Sequence, residues 1–219
     1  MIITIDGPAA AGKGTLSQKL AQKYKLAYFD TGMIYRAVGI DLITKNIDPD
    51  NDVQALKSAE NMTFSKMMEL SKHSEFRSNL GGQAASKVAS KTPVRQALLK
   101  MQQDFAHNPQ FADGQQAQGV VYDGRDTGTV VCPNADIKIF ITASPEVRAM
   151  RRHKEFLEKG ITSDYNEVLA QTKERDLRDS SRASAPLKPA NDAIIIDTSD
   201  MSIEDVYNNV CQIIDSKKQ

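Results

Sequence analysis

The sequence contains no tryptophan, two cysteines and three histidines, and its 28 basic side chains are balanced by 28 acidic ones over 219 residues. Cys132 and Cys211 lie far apart without a CxxC pair, which argues against a zinc site or a disulfide framework. His73, His107 and His153 fit no nucleophile-activating triad. The formal net charge of zero excludes a broadly basic surface of the kind that coats nucleic acids.

Long apolar runs are also missing, and none approaches the roughly 18 residues of a membrane-spanning helix. The chain enters a short apolar segment, Ile2–Ile5, without the charged leader and cleavage pattern of a signal peptide. Apolar residues make up 40% of the chain and charged residues 26%, which is typical of a globular protein that buries a core. We predict a cytoplasmic protein with a single domain over 1–219, no membrane partner and a monomer as the default state.

Short apolar runs alternate along the chain with longer segments of helical periodicity. The predicted strands are Ile2–Asp6, Leu26–Phe29, Gly119–Tyr122, Ile137–Ile141 and Ala193–Ile196. Between these strands lie segments in which apolar residues recur at helical spacing, as at Leu16, Leu20 and Tyr24. Near-continuous apolar strands between helices predict an α/β fold with a five-stranded parallel sheet flanked by helices.

Two segments interrupt this alternation. Residues 46–106 hold no predicted strand, and a polar stretch there precedes a predicted helix over Gln83–Phe105. The segment His107–Gln118 is rich in Gln, Asn, Pro and Gly, which is typical of a mobile surface loop. We predict a lobe inserted at about 46–106, after the second strand, with the chain returning to the sheet near residue 119.

A glycine-rich segment, which we call the phosphate loop, joins the first predicted strand to a predicted helix. It reads Gly7-Pro8-Ala9-Ala10-Ala11-Gly12-Lys13-Gly14-Thr15. Backbone amides in such a loop, and at the start of the following helix, cradle phosphate groups. The lysine adds positive charge at the β- and γ-phosphate oxygens. The segment therefore predicts a nucleotide phosphate site.

The phosphate loop departs from the general motif at one position. Gly14 stands where a serine or threonine hydroxyl usually binds Mg²⁺, and Thr15 follows one residue later. We therefore expect Mg²⁺ to enter with ATP and to be held by nucleotide oxygens and water, with no direct protein ligand. Asp123, at the end of the third strand, is a candidate to orient metal-bound water; capping of the next turn is an equally open alternative.

Polar and cationic side chains follow the other predicted strands or lie in the inserted lobe. They are Thr31, Arg36, Ser86, Arg95, Arg125 and Asp126. In parallel α/β folds, ligands bind at the carboxyl ends of the strands. An arginine can hold a phosphate there, while a carboxylate accepts protons from the amino group of a base.

Two further arginine groups lie on predicted helices. The first group is Arg148, Arg151 and Arg152, after the fourth strand. On a later helix, four residues share one face at 100° per residue, namely Arg175, Arg178, Asp179 and Arg182. Phosphoryl transfer requires a clamp of positive charge of this kind. The alternative is a solvated face of salt bridges with Glu174 or Asp176.

Six segments, in order along the chain, resemble the bacterial cytidylate kinases. They are GPAAAGKGT, DTGMIYR, SKVASKTPVRQALL, DGRDTGTVV, KIFITAS and KERDLRDSSRASAPL. The resemblance covers most of the chain and implies a P-loop nucleoside monophosphate kinase with an inserted NMP-binding lobe and a short lid at about 148–165. It implies transfer of the γ-phosphoryl group from ATP, with Mg²⁺, to CMP or dCMP.

The resemblance also implies roles for the matched residues. Those at the reacting phosphates are Lys13, Arg36, Arg125, Arg175 and Arg182. Those at ATP are the phosphate loop, Arg151 and Arg152. Those at the base and sugar of CMP are Ser86, Arg95 and Asp126 at the cytosine, Asp179 at the ribose, and Thr31 in place of a serine beside the sugar.

Three other functions stay open on the residues alone. A kinase for another acceptor, such as UMP, AMP, shikimate or a sugar acid, would share the phosphate loop without needing Ser86, Arg95 and Asp126. A nucleotide switch would bind ATP and show no turnover when CMP is added. A nucleic-acid-binding module is disfavoured by the zero net charge and by the lack of aromatic stacking motifs.

Overall fold

The computed structural model describes residues 1–217, which form two compact units. The first unit comprises Met1–Phe29 and the described part of the chain from Pro109 onward, and the second comprises Asp30–Asn108. The lobe predicted at about 46–106 falls inside the second unit. Within the described residues, no helix combines the length and the apolar character needed to cross a bilayer.

A parallel five-stranded sheet forms the centre of the fold over the described residues. Its strands are β1 (Ile2–Asp6), β2 (Ala27–Asp30), β3 (Val120–Gly124), β4 (Ile137–Thr142) and β5 (Ile194–Asp197). Their order is β2-β3-β1-β4-β5, so β1 lies in the middle. In register, Asp6 at the end of β1 pairs with Gly124 on β3 and with Phe140 on β4. The predicted α/β class and five-stranded parallel sheet are confirmed.

Helices lie between the strands along the chain and after the last of them. In chain order they are α1 (Lys13–Tyr24), α2 (Gly32–Ile43), α3 (Asp52–Glu60), α4 (Phe64–Leu70), α5 (Asn79–Ala89), α6 (Thr92–His107), α7 (Pro145–Glu158), α8 (Tyr165–Ser180) and α9 (Ile203–Ser216). A short 3₁₀ turn spans Ser74–Arg77, and a π-helical turn spans Thr127–Val131.

The core of the first unit lies between the sheet and two of its helices. Ile5 and Ile139 from the strands are buried together with Leu20 on α1 and Val210 and Ile214 on α9. These are the apolar stripes that the strand and helix periodicities predict, because residues on one face of each element recur at that spacing. The packed core holds the end of β1, and hence the phosphate loop, in a fixed position.

The second unit is helical across its described elements after β2. Gly39 on α2 allows α5 to approach closely, since a Cβ at Gly39 would lie 2.8 Å from the Cβ of Ala84. The single helix predicted over Gln83–Phe105 is wrong, because α5 ends at Ala89 and α6 begins at Thr92. Pro93 explains the break: it has no N–H to donate and its ring would clash with the preceding turn of a continuous helix.

The segment predicted as a loop at 107–118 is folded back on itself. Its first residue, His107, belongs to α6, and Gln110 and Gln116 form an isolated antiparallel bridge. The Phe111 amide donates to the carbonyl of Gln115 at 2.8 Å. Residues 110–116 therefore form a tight turn in the first unit, and the predicted mobility of the segment stays a prediction.

Candidate active site

The phosphate loop leaves β1 in a conformation that depends on glycine. Gly7 has a φ of +146°, and a Cβ there would lie 1.9 Å from the carbonyl oxygen of Ile141. Gly12, directly before α1, has a φ of +93°. Glycine adopts positive φ at little cost, so the loop can turn its amides toward an anion at the start of α1.

Lys13 is the first residue of α1 and its side chain is 5% exposed. The ammonium donates to the carbonyl of Pro8 at 2.8 Å and lies 4.0 Å from the Asp123 carboxylate. Burial, followed by repulsion from the Arg125 and Arg175 guanidiniums, lowers the pKa of Lys13 to about 7, although Asp123 opposes the shift. The lysine of the phosphate loop therefore shares one electrostatic environment with two arginines predicted on the acceptor side.

Asp123 is the acidic side chain beside Gly14, where a divalent cation would bind with a nucleotide. A Cβ at Gly14 would lie 3.4 Å from Oδ2 of Asp123, which also accepts from the Tyr28 hydroxyl at 3.5 Å. No group of three or more His, Cys, Asp or Glu side chains among the described residues could hold a metal. Mg²⁺ commonly takes one or two protein carboxylates together with substrate phosphates and water. Asp123 fits that pattern of binding with a nucleotide.

The segment after β3 presents Arg125 and Asp126 directly before the π-helical turn at Thr127–Val131. The Arg125 guanidinium donates to the carbonyl of Gly124 at 3.0 Å. Asp126 is buried, and its carbonyl accepts from the amide of Val130 at 2.9 Å. Single π-helical turns are rare and often lie at functional sites.

Three arginines surround one buried carboxylate, an arrangement that we call the Asp179 cluster. Its members are Asp179, Arg125, Arg175 and Arg182. Arg125 Nε lies 3.3 Å and Arg175 Nε 3.9 Å from Asp179 Oδ2, and Arg182 donates to Oδ1. Burial alone would raise the pKa of Asp179, but the three guanidiniums outweigh it and lower that pKa. The cluster carries two more positive than negative charges.

Arg182 reaches this cluster from beyond its helix. The prediction of one helical face is wrong in detail, because α8 ends at Ser180 and Arg182 follows its cap. The Arg182 side chain is 3% exposed, and its Nε makes no hydrogen bond to any residue that the structure describes. A buried donor left without an acceptor is costly, so an anionic ligand oxygen would be favoured there.

Arg178 and Arg148 take structural roles instead. Arg178 pairs with Glu174 one turn back along α8. This is the pairing expected of a solvated face of salt bridges. Arg148 is buried, holds Asp176 on α8 through both terminal nitrogens, and donates to the carbonyl of Ala9 at 3.3 Å. It ties α7 to α8 and to the phosphate loop, and it is not an open cation for a substrate.

A cavity of about 440 Å³ in the first unit borders the phosphate loop. Its lining includes Gly12, Thr15, Arg151, Arg152, Met201 and Val206. Arg151 donates to the Thr198 carbonyl at 2.7 Å, and the Arg152 guanidinium lies 4.7 Å above the ring of Phe156. The two arginines predicted to contact ATP are thus on the wall of a cavity that opens beside the loop.

The second unit holds the remaining candidate residues. Thr31 is buried and directly precedes α2. Arg36, on α2, donates to the carbonyl of Phe76 at 3.0 Å, and its terminal nitrogens lie 3.6 and 3.8 Å from the position of a Cβ at Gly82. A glycine at 82 therefore leaves room beside the Arg36 guanidinium.

Ser86 and Arg95 lie on consecutive helices of the second unit. Ser86, on α5, is buried. Arg95, on α6, is also buried, donates to the carbonyl of Ala89 at 3.2 Å and stacks over the Tyr35 ring at 5.1 Å. These two contacts hold the Arg95 side chain in place between α5 and Tyr35.

One residue at this edge of the sheet is absent from the sequence-based prediction. Asp6, the last residue of β1, accepts hydrogen bonds from the Thr127 amide and hydroxyl and from the Gly128 amide. Burial raises the pKa of Asp6, and these bonds oppose the shift. A signal was available: an acidic residue that ends a buried strand directly before the phosphate loop needs partners at that edge.

Comparison with known proteins identifies a family for nearly the whole chain. The model of the family described as cytidylate kinase matches residues 3–216. A protein named cytidylate kinase from Paramagnetospirillum magneticum is 48% identical, covering 99% of this chain and 99% of the relative. One of the same name from Agrobacterium fabrum is 46% identical, covering 98% of this chain and 96% of the relative.

The fold is also found among solved structures. Shikimate kinase from Bacteroides thetaiotaomicron has a TM-score of 0.50 and 12% identity, over 98% of each chain. At this identity the similarity concerns the fold alone.

Proposed function

Because the chain belongs to the cytidylate kinase family, we propose that it transfers the γ-phosphoryl group of ATP to CMP or dCMP, giving ADP and CDP or dCDP. One observation carries the assignment of a site to this activity. The buried Lys13 ammonium of the phosphate loop is close enough to the acceptor-side guanidiniums of Arg125 and Arg175, within the first unit, for them to lower its pKa. A donor phosphate and an acceptor phosphate both require such positive charge at short range.

The Asp179 cluster is the proposed site of the acceptor phosphate. A phosphate monoester is largely a dianion at pH 7, because its second pKa is about 6. The surplus of two positive charges in the cluster would balance that dianion, and arginines can bind its oxygens through two parallel hydrogen bonds. In this proposal Arg125 and Arg182 hold the acceptor phosphate, and Arg175 stabilises the group in transfer.

In the second unit, Arg36 is the proposed further contact to the acceptor phosphate. Ser86 and Arg95 are proposed to read the cytosine, and Thr31 to contact the sugar. Their support is burial of Thr31, Ser86 and Arg95, the contacts that hold Arg95, and the lack of a side chain at Gly82 beside Arg36. A site that hydrogen-bonds a base rejects analogues lacking those groups, because its buried polar atoms would then stay unpaired.

Two residues of the first unit complete the proposed contacts to the nucleoside. Asp126 would accept from the cytosine amino group, and Asp179 would contact the ribose while holding its arginines together. Both are buried, which supports a role that excludes water.

ATP is proposed to bind through the phosphate loop and the neighbouring cavity. The loop amides and Lys13 would hold the β- and γ-phosphates, and the cavity would take the nucleoside beside Arg151 and Arg152. Mg²⁺ bound with ATP supplies charge neutralisation at the phosphate oxygens, and Asp123 is the residue that would orient its water. Residues 148–165 are the proposed lid, and the lobe at about 46–106, inside the second unit, is the proposed NMP-binding lobe.

The chain's residues need not remove a proton for this reaction. The acceptor phosphate oxygen is already ionised at pH 7, so alignment and neutralisation of charge are what the site must supply. The reaction therefore needs no histidine as a general base. The location in the cytoplasm, the monomeric state, the lack of a nucleic-acid partner and a place in pyrimidine nucleotide metabolism stay predictions.

A coupled assay of ADP formation with CMP, dCMP, UMP and AMP as acceptors tests the proposal. We expect kcat/KM to be highest for CMP and dCMP. Preference for AMP, or ATP binding without turnover on any acceptor, would contradict it. Asp126→Asn serves as the internal comparison: it should lower kcat/KM for CMP more than for UMP, since UMP lacks the amino group that the carboxylate would accept from.

A further inference from the structure

Asp6 lies at the junction of the two halves of the first unit's site. It is the last residue of β1, 5% exposed, and the phosphate loop begins at the next position. Its backbone pairs in register with Gly124, the residue directly before Arg125. Asp6 is therefore adjacent in sequence to the donor loop and adjacent in space to the segment that carries Arg125.

The carboxylate of Asp6 caps the π-helical turn from outside that turn. Oδ1 accepts from the amide and the hydroxyl of Thr127, each at 2.8 Å, and Oδ2 accepts from the Gly128 amide at 2.7 Å. The residue that precedes the turn, Asp126, makes no side-chain capping bond to it. Both oxygens of Asp6 are thus engaged by the amide-donating end of the turn, which needs acceptors.

The close approach depends on the glycine in the turn. A Cβ at Gly128 would lie 2.8 Å from the hydroxyl of Thr4 and 3.4 Å from Oδ2 of Asp6. The turn therefore lies directly on the end of β1. Arg125 and Asp126 occupy the short link between β3, which is paired to β1, and the turn, which is bonded to Asp6.

We infer that Asp6 is a positioning residue for phosphoryl transfer, which fixes the backbone of Arg125 and Asp126 relative to the phosphate loop. It acts through Arg125 and makes no contact with substrate itself. This inference rests on the proposed role of Arg125 at the acceptor phosphate. Misplacing a catalytic group by about 1 Å can cost on the order of 10²-fold in rate.

The test is a double-mutant cycle between Asp6→Asn and Arg125→Ala. The asparagine keeps the size of the side chain but turns one oxygen into an amide that faces backbone N–H donors. We expect Asp6→Asn to lower kcat/KM for CMP by about 10²-fold and to weaken ATP binding by less, since its effect there is limited to the lower pKa of Lys13 that follows loss of the Asp6 charge. In the Arg125→Ala background the same change should cost less than about threefold, because interacting residues are not additive.

Asp136→Asn is the matched control, since its carboxylate accepts from the Ile2 amide at 2.6 Å at the opposite end of β1. It should leave kcat/KM for CMP unchanged. An equal loss in the control, additive losses in the cycle, or equal damage to ATP and CMP binding would overturn the inference. If Asp6→Asn does not fold, Thr127→Val replaces it in the same cycle, because it removes one of the three bonds.

For each variant of the cycle, the Kd of CMP is measured by calorimetry and the turnover by the coupled assay. A wild-type protein without turnover would count against the proposed activity, and the coupling between Asp6 and Arg125 would still be read from CMP binding. Additive effects on the Kd of CMP would then overturn the inference on Asp6 alone.

Discussion

Arg125 and Asp179 are 54 residues apart in the chain, and Nε of the arginine donates to the carboxylate at 3.3 Å. Arg125 follows β3, whereas Asp179 lies in the last turn of α8. The pair therefore fixes the end of α8 against the carboxyl edge of the sheet. Two further arginines share the same carboxylate, so the geometry of the cluster depends on one acidic residue.

Arg182→Ala should lower kcat for CMP phosphorylation by about 10³-fold or more, because a buried arginine that stabilises transferring phosphoryl charge contributes on that scale. Arg178→Ala is the control on α8, since Arg178 pairs with Glu174 and makes no ion pair with Asp179 among those that the structure describes. It should change kcat by less than about threefold. Coupled turnover together with circular dichroism checks both variants, and similar losses in the two would place Arg182 outside the reaction.

Asp179→Asn should lower the free energy of unfolding by about 3–5 kcal/mol, because it leaves buried guanidiniums without their counter-charge. Folding lowers the pKa of Asp179 below its ordinary 3.8. The carboxylate therefore stabilises the wild type fully above that pH and loses its contribution as the pH falls through the lower, folded value.

Urea titrations between pH 7 and pH 3 measure this effect. The difference between wild type and Asp179→Asn should be largest at neutral pH and should shrink in acid. A pH-independent difference would contradict the assignment. Added CMP should stabilise the wild type by mass action at every pH where it binds.

Lys13 should take up a proton when ATP binds above neutral pH. Its pKa in the free protein is lowered to about 7, so most of the lysine is neutral at pH 8. Bound phosphates favour the charged ammonium and raise the pKa again, so the affinity for ATP should fall as the pH rises above about 7.

Calorimetry of ATP binding at pH 8, in two buffers of different ionisation enthalpy, measures this uptake. A value approaching one proton per ATP is expected. Lys13→Arg is the control, because a guanidinium stays charged over this range and should abolish the uptake. Uptake that survives in Lys13→Arg would assign the titration to another group.

Gly7→Ala should prevent stable folding, with a loss above about 4 kcal/mol, because its Cβ would overlap the carbonyl of Ile141. Gly114→Ala is the matched control, since Gly114 also has a positive φ of +85° but no atom within 4 Å of a Cβ. That variant should lose about 1–2 kcal/mol from backbone strain alone. Equal losses of unfolding free energy in urea denaturation would show that backbone strain, and not contact with β4, accounts for the cost of Gly7→Ala.

The strands and the phosphate loop follow from the sequence because their signals are local. Apolar runs mark the strands, and the loop's glycines lie between a strand and a helix in the order that phosphate binding requires. The sequence also contains the signal for the break between α5 and α6, because Pro93 lies within the predicted helix and proline is rarely tolerated in a helix interior.

The grouping of the arginines depends on tertiary contacts that periodicity does not contain. Arg178 and Arg182 share a predicted face, yet Arg178 turns to Glu174 and Arg182 joins Asp179 from beyond the helix end. Arg148 has the same residue type as Arg151 but bonds Asp176, 28 residues further on. The packing of α7 on α8 brings Arg148 to Asp176, whereas Arg178 and Arg182 pair with acids three or four residues back along the chain.

Gly14 has no side chain that could bind a cation, so the polar group beside Lys13 comes from another segment of the chain. The carboxylate beside Lys13 belongs to β3, whereas the amides of the phosphate loop follow β1. Substitution at Asp123 therefore changes the charge next to the ammonium without altering an amide of the loop. Under the proposed role of Asp123, a substitution there would alter cation preference and the pKa of Lys13 together, while the backbone amides that cradle phosphate stay as they are. In loops with a hydroxyl directly after the lysine, the cation ligand belongs to the loop itself.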